Sequence, residues 1–334
     1  MKNLQVIIAA VFFAGALFVP LFVPTDYTLQ ILFRVFLFAA LGLAWNLVGG
    51  YAGQLSLGHA AYFGVGAYGL ALFSKLGISP WVSVLLGVLM AVICGAIVGK
   101  VSFRLRGPYF ALCTIAFAEV LRLIAKNLPS VTGGDVGAQV PALFTQSATR
   151  SFYWSGVLLT AFAFALTAWI ERSRFGYYLM AIREDEDTAL SVGVNASRYK
   201  LWSLLISAAI TGLGGALYAS MFLFIVPDQV LAMEISTEIA IVAMLGGAGT
   251  LLGPVVGSVV LETAAEIFKN IFKEAHLLIY GVLIVIVVLF MPEGIVGTLI
   301  SKLGLFKKSP PAPFAAPLPI SAEEEARRAV ISGE

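Results

Sequence analysis

The sequence predicts an all-α fold: a polytopic integral membrane protein with about ten transmembrane segments, two glycine-rich broken helices and a short helix in a long cytoplasmic loop. Three observations carry that expectation. The 334-residue chain is 60% hydrophobic and only 12% charged, against about 25% charged residues in a soluble domain. The hydrophobic residues come in long blocks rather than in the periodic faces of a soluble core. Between two blocks lies Gly49-Gly50-Tyr51-Ala52-Gly53-Gln54-Leu55-Ser56-Leu57-Gly58-His59, a stretch that no lipid-facing helix calls for. Irregular backbone at membrane depth is tolerated only where protein or a watery cavity surrounds it. The stretch is therefore the first sign that something polar crosses.

Net charge is +2, which points to no nucleic-acid partner. Cys94 and Cys113 each sit in an apolar run and give neither a disulfide framework nor a metal spacing. His59 and His276 are too few for a histidine-based metal site. The amino terminus, Met1-Lys2-Asn3 and then an apolar run to Val23, is longer than a signal-peptide core and lacks an Ala-x-Ala cleavage site. It reads as an uncleaved first helix.

A bilayer core needs about 20 apolar residues in helical form. Runs of that kind occupy 4–23, 29–48, 59–75, 80–100, 108–126, 152–170, 201–223 and 276–291, and a hydrophobic region covers 237–268. The third contains Gly64, Gly66 and Gly69, which suit close helix packing. The 237–268 region is too long for one pass and is interrupted by Gly246-Gly247-Ala248-Gly249 and Gly253-Pro254. Basic residues cluster at Lys100, Arg104 and Arg106, at Arg172, Arg174, Arg183, Arg198 and Lys200, and at Lys302, Lys307 and Lys308. Two passes in 237–268 place all three clusters in the cytoplasm, with both ends of the chain there; a re-entrant loop is the rival. Residues 1–306 then form the membrane domain, with a cytoplasmic loop at 171–200. Residues 307–334, rich in proline and then in charge, read as a mobile tail.

The two glycine-rich breaks resemble each other, and paired interruptions mark translocation pathways in many transporters. Gly50, Gly53, Gly246, Gly247, Gly249 and Gly253 shape them. For Gln54, Ser56 and His59 two readings stand: they line the path, or they cap helix ends and satisfy freed backbone groups. Glu119 and Arg122, three residues apart on one helix face, are a gate element or an ion pair that fixes packing. Glu238 and Glu262 read as interfacial. In the 171–200 loop, acidic residues 184–187 and a following apolar run predict a short helix ending near Gly193. Its apolar positions 182, 189, 190, 192 and 194 need a surface, which suggests docking. Gly95-Ala96-Ile97-Val98-Gly99-Lys100 is too short for a P-loop and lies in a hydrophobic run. No catalytic constellation or metal cluster stands out.

Asn46 through His59 resembles the signature of branched-chain amino-acid ABC transporter permeases. Four further stretches fit in the same order: Arg106-Gly107-Pro108-Tyr109-Phe110-Ala111-Leu112 through Phe117-Ala118-Glu119-Val120-Leu121-Arg122; Thr132-Gly133-Gly134; Ala181-Ile182-Arg183-Glu184-Asp185-Glu186; and Leu245 through Pro254. They span roughly residues 40 to 300 and look most like the M-type permease subunit. The resemblance implies an inner-membrane importer of branched-chain amino acids. In it a periplasmic binding protein delivers the solute, this chain and a second, unlike permease form the pathway, and two ATPase subunits use ATP and Mg. This chain itself is then no enzyme and holds no cofactor. The resemblance also makes residues 181–193 a coupling helix for the ATPase, chiefly Ala181, Arg183, Glu184, Asp185, Glu186 and Gly193. One departure leaves the solute open. Val136 separates Asp135 from Gly137 and Ala138 follows, where the family often has glycine and a larger aliphatic residue. Related permeases carry urea, short amides or other amino acids. An ion-coupled secondary transporter using Glu119 is a more distant alternative.

Overall fold

A computed structural model describes residues 25–103, 105, 107–144, 148–272, 281 and 294–302, with short pieces between 13 and 20. Most of the expected spans at 4–23 and 276–291, together with Arg104, Arg106, His276 and the whole of the 307–334 tail, lie outside the described residues.

The helices follow the hydrophobic blocks: α1 (Asp26–Asn46), α2 (His59–Lys75), α3 (Pro80–Ser102), α4 (Pro108–Asn127), a single turn α5 (Pro129–Thr132), α6 (Ala148–Arg172), α7 (Arg174–Glu184), α8 (Glu186–Ser191), α9 (Ala196–Phe222), another single turn α10 (Pro227–Val230), α11 (Met233–Gly247), α12 (Gly253–Phe272) and α13 (Gly294–Lys302). Proline occupies the first turn of α3 and α4, where its missing N–H costs nothing. The only strands among the described residues are β1 (Ala138–Gln139) and β2 (Phe224–Ile225), paired antiparallel as Ala138↔Ile225 and Gln139↔Phe224. The architecture is all-α and polytopic. Among the described residues, six helices are long and apolar enough to cross a membrane.

Burial sorts the helices. α1 is buried over most of its length, and α9 packs along α2, α3 and α1. α3 instead exposes Leu85, Leu89, Ile93, Ile97 and Val101, one stripe at four-residue spacing. A soluble protein cannot leave such a stripe to water; lipid accepts it. Small residues let the inner helices approach closely, as the run at 64–69 predicted. A Cβ on Gly66 would lie 2.0 Å from the Gly212 carbonyl oxygen, and one on Gly69 would lie 2.4 Å from Gly87 Cα.

The 237–268 region is a helical hairpin. α11 and α12 run antiparallel: a Cβ on Gly246 would meet the Gly253 carbonyl, and one on Gly257 the Val242 carbonyl. The chain reverses at 248–252. Both glycine-rich segments thus sit between helix ends.

Candidate functional site

The first glycine segment begins where α1 ends. Leu47–Tyr51 widen into one π turn, residues 52–58 are irregular, and α2 starts at His59. The freed backbone groups are answered locally. The Gln54 N–H donates to the Val48 carbonyl at 2.9 Å, Trp45 Nε1 donates to the Ser56 carbonyl at 2.7 Å, and Ser203 Oγ donates to the Leu47 carbonyl at 2.9 Å. His59 is fully buried, with Nδ1 3.2 Å from Ser56 Oγ and Nε2 2.8 Å from Ser207 Oγ. Both ring nitrogens of His59, and the Ser56 hydroxyl, are therefore engaged inside the chain. Gln54 is half-buried, and its side chain makes no hydrogen bond among the described residues.

The second segment packs directly on the first. Asn46, fully buried, bridges them: its Oδ1 accepts from the Gly249 N–H at 2.7 Å and its Nδ2 donates to the Thr250 carbonyl at 2.9 Å. No side chain fits between. A Cβ on Gly50 would lie 1.8 Å from Asn46 Oδ1 and 2.5 Å from the Gly249 nitrogen. Gly247 and Gly249 have φ of +125° and +80°, which L side chains rarely adopt. Thr250 Oγ1 closes the turn by donating to the Gly247 carbonyl and accepting from the Gly253 N–H.

Arg183 of the 171–200 loop reaches into this junction. Its Nη1 donates to the Gly50 carbonyl at 2.7 Å, and a Cβ on Gly249 would stand 2.2 Å from the same nitrogen. Gly53, with φ +68°, carries the backbone past the Arg183 side chain; a Cβ there would lie 3.0 Å from Arg183 Cγ. Leu47, Tyr51 and Ala52 pack with Ile170 and Leu179 behind it. One guanidinium thus touches both glycine segments.

The loop differs from the single helix expected over 181–193. α7 ends at Glu184, Asp185 is extended (φ −157°, ψ 113°), and α8 begins at Glu186. Asp185 is the reason: its carboxylate caps α8, accepting from the Thr188 N–H at 2.6 Å. That backbone bond holds the Asp185 carboxyl below its usual pKa. Ala181 closes α7 by accepting from the Asp185 N–H. The acidic run splits by role. Glu186 pairs with the buried Lys200 at 2.6 Å, whereas Glu184 is exposed. Of the apolar positions, Ile182, Ala189 and Val194 pack into a small core with Ala196. Leu190 and Val192 stay 45% and 75% exposed, beside Gly193 at φ +87°.

Glu119 and Arg122 lie elsewhere. Thr114 of α4 accepts from the Leu57 N–H, and Arg122 lies eight residues, about 12 Å, further along. Arg122 holds Glu119 through two hydrogen bonds, at 2.9 and 2.5 Å, and also holds Asp228. Lys126 bridges Asp228 at 2.9 Å and Asp135 at 3.2 Å. Thr132 ties the Thr132-Gly133-Gly134 turn to this end by donating to the Ala125 and Leu128 carbonyls.

Three features were not read as sites from the sequence. Asn46 stands out in the sequence only as a member of a motif. Lys200 reads from the sequence only as a basic loop residue. Glu238 and Glu262 read as interfacial, but Glu262 is 4% exposed in mid-helix and, with Glu238, binds Arg34 of α1. The available signal was Arg34 itself, an ionisable residue inside an apolar run.

Outward apolar stripes and inward glycine packing define a multi-pass helical membrane protein whose loop is keyed into its helix turns. Residues 27–288 match the family described as "Branched-chain amino acid transport system / permease component", and the chain belongs to that family. It is 29% identical over 303 residues to the high-affinity branched-chain amino acid transport system permease protein LivM of Escherichia coli, covering 82% of this chain and 71% of that protein. The LivM protein of Salmonella typhimurium is 30% identical over 288 residues, covering 78% of this chain and 67% of that protein. The LivH permease protein of the same organism is 24% identical over 282 residues, covering 78% and 91%. No solved structure matches the chain.

Proposed function

We propose that this chain is the M-type pathway subunit of an ATP-driven importer of branched-chain amino acids in a bacterial inner membrane. A second, unlike permease of the LivH kind completes the pathway. Two separate ATPase subunits bind ATP and Mg and dock at residues 181–193, and a periplasmic binding protein delivers the solute near Asp135 and Asp228. In this reading the 171–200 loop faces the cytoplasm and the chain crosses about ten times, with both ends cytoplasmic. The glycine segments are turns at the cytoplasmic ends of the spans they join.

The observation that carries the coupling is the Arg183 contact. Exposed Leu190 and Val192 offer α8 to a partner, while Arg183 at the end of α7 grips the Gly50 carbonyl and abuts Gly249. Movement of the loop is thereby passed to the turns that join α1 to α2 and α11 to α12. Glycines let those turns pivot without a side-chain clash. The ion-coupled alternative needs a carboxylate free to exchange protons, and Glu119 is held by two hydrogen bonds from Arg122.

Glu184→Lys tests docking. ATPase co-purification and ATP-driven leucine uptake should both fall while the chain still assembles with the second permease. Normal co-purification and uptake would refute the docking site.

A further inference from the structure

We infer that the cavity between α1, α11 and α12 is a transient binding site for a free aliphatic amino acid in its zwitterionic form. The inference rests on the amino-acid import reading and adds the place and the groups that hold the cargo. The cavity measures about 630 Å³, within the range of about 300–1,000 Å³ usual for small-molecule sites. Arg34 lies twelve residues, about 18 Å, along α1 from Asn46, so the cavity stands well away from the glycine turns.

The charged groups are arranged asymmetrically. Arg34 Nη2 donates to Glu238 Oε1 at 2.9 Å, and its Nε is 2.9 Å from Glu262 Oε2. The Phe38 ring lies against the guanidinium carbon at 5.5 Å. These contacts fix the plane of the fork. Yet the Arg34 side chain is 50% exposed, and its Nη1 has no partner among the described residues. Glu262 is buried to 4% exposure, and its Oε1 has no hydrogen-bond partner among the described residues. Two carboxyl groups thus share one guanidinium, leaving an orphan oxygen and an idle N–H pair beside the cavity.

A structural ion pair would use those groups up. A buried carboxylate oxygen without a partner is costly and points to an absent one. An ammonium group satisfies it; a carboxylate satisfies Nη1 in the fork geometry arginine favours. Both charges occur one carbon apart in a free α-amino acid. Ile31, Met233 and Ile241 supply an apolar wall for an aliphatic side chain. Glu234 and Lys269 also line the cavity, and Glu266 does so while bonded to the Tyr27 hydroxyl.

The test uses the assembled transporter in proteoliposomes with saturating loaded binding protein. Photo-leucine, a diazirine analogue of leucine, is added during turnover, and the labelled peptides are mapped. Labelling is expected on the α11 segment that holds Met233 and Ile241, and excess leucine should abolish it. Glu262→Gln keeps the shape and removes the charge; it should reduce both this labelling and the uptake rate at least about tenfold, as loss of a charge-assisted bond does. Arg34→Lys should do the same, since a lysine cannot reproduce the fork. Labelling only outside α1, α11 and α12 overturns the site, as does wild-type labelling and uptake in Glu262→Gln. Should that variant fail to assemble, labelling of the unaltered chain decides alone. A transporter that imports no aliphatic amino acid refutes the import reading itself; one that imports leucine without marking this cavity refutes only the site.

Discussion

Gly249→Ala tests the junction where the loop meets both glycine turns. Gly249 has φ +80°, and alanine there carries a left-handed penalty of about 1–2 kcal/mol. The new methyl would also lie 2.2 Å from Arg183 Nη1, so the guanidinium must leave. Its hydrogen bond to the Gly50 carbonyl goes with it, at about 1.5–3 kcal/mol for a charged donor. The sum is about 2.5–5 kcal/mol. The assay is ATP-driven leucine uptake, normalised to assembled transporter and run as a double-mutant cycle with Arg183→Ala. Once Arg183 is gone, Gly249→Ala should cost only its backbone strain. The cycle should therefore return a coupling energy of about 1.5–3 kcal/mol, or roughly ten- to hundredfold in rate. Additivity within about 0.5 kcal/mol would refute the contact as the element that links loop and turns.

Three further outcomes follow from the same geometry. Glu186→Lys should destabilise the loop by about 3 kcal/mol, because it leaves the buried Lys200 facing a second ammonium; limited proteolysis at 185–195 reads this, and Glu184→Lys should leave the pattern unchanged. The cap on α8 should fail in acid. Asp185 has a depressed pKa in the folded loop, so its stabilisation is complete above the unfolded value of about 3.9 and is lost as pH falls through the lower folded value. A spin label on Val192→Cys should stay ordered from about pH 5 upward and loosen below about pH 4, and Asp185→Asn should remove that dependence. Gly66→Val should prevent close packing of α2 on α9, because a Cβ there meets the Gly212 carbonyl at 2.0 Å; the chain should be degraded before assembly, as seen by its abundance in membranes.

Much of this molecule was legible in its residues, because bilayer thickness imposes helix length and hydrophobic blocks reveal it. Each described span begins or ends within a few residues of its block, and the turn near 248–252 was marked by Gly246, Gly247, Gly249 and Gly253. The extent of the loop was legible too, but not its division. An aspartate in a run of acids gives no local sign of which residue will cap, so Asp185 read as part of one helix. Long-range partners left no trace in spacing. Asn46 meets Gly249 across 203 positions, and Arg34 meets Glu238 across 204. The resemblance of the two glycine segments was visible; that they touch, and that Arg183 touches both, came only from the fold.

Whether residues 181–193 meet the ATPase is tested most directly by a cysteine at position 192, in a chain with Cys94 and Cys113 replaced. Val192 is 75% exposed, so Val192→Cys should label fully with a maleimide when this chain and the second permease are purified alone. In the complete transporter the same cysteine should be protected. A short bifunctional reagent should then join it to the ATPase and arrest leucine uptake. Equal labelling with and without the ATPase, with no cross-link and full uptake, would contradict the docking of this loop.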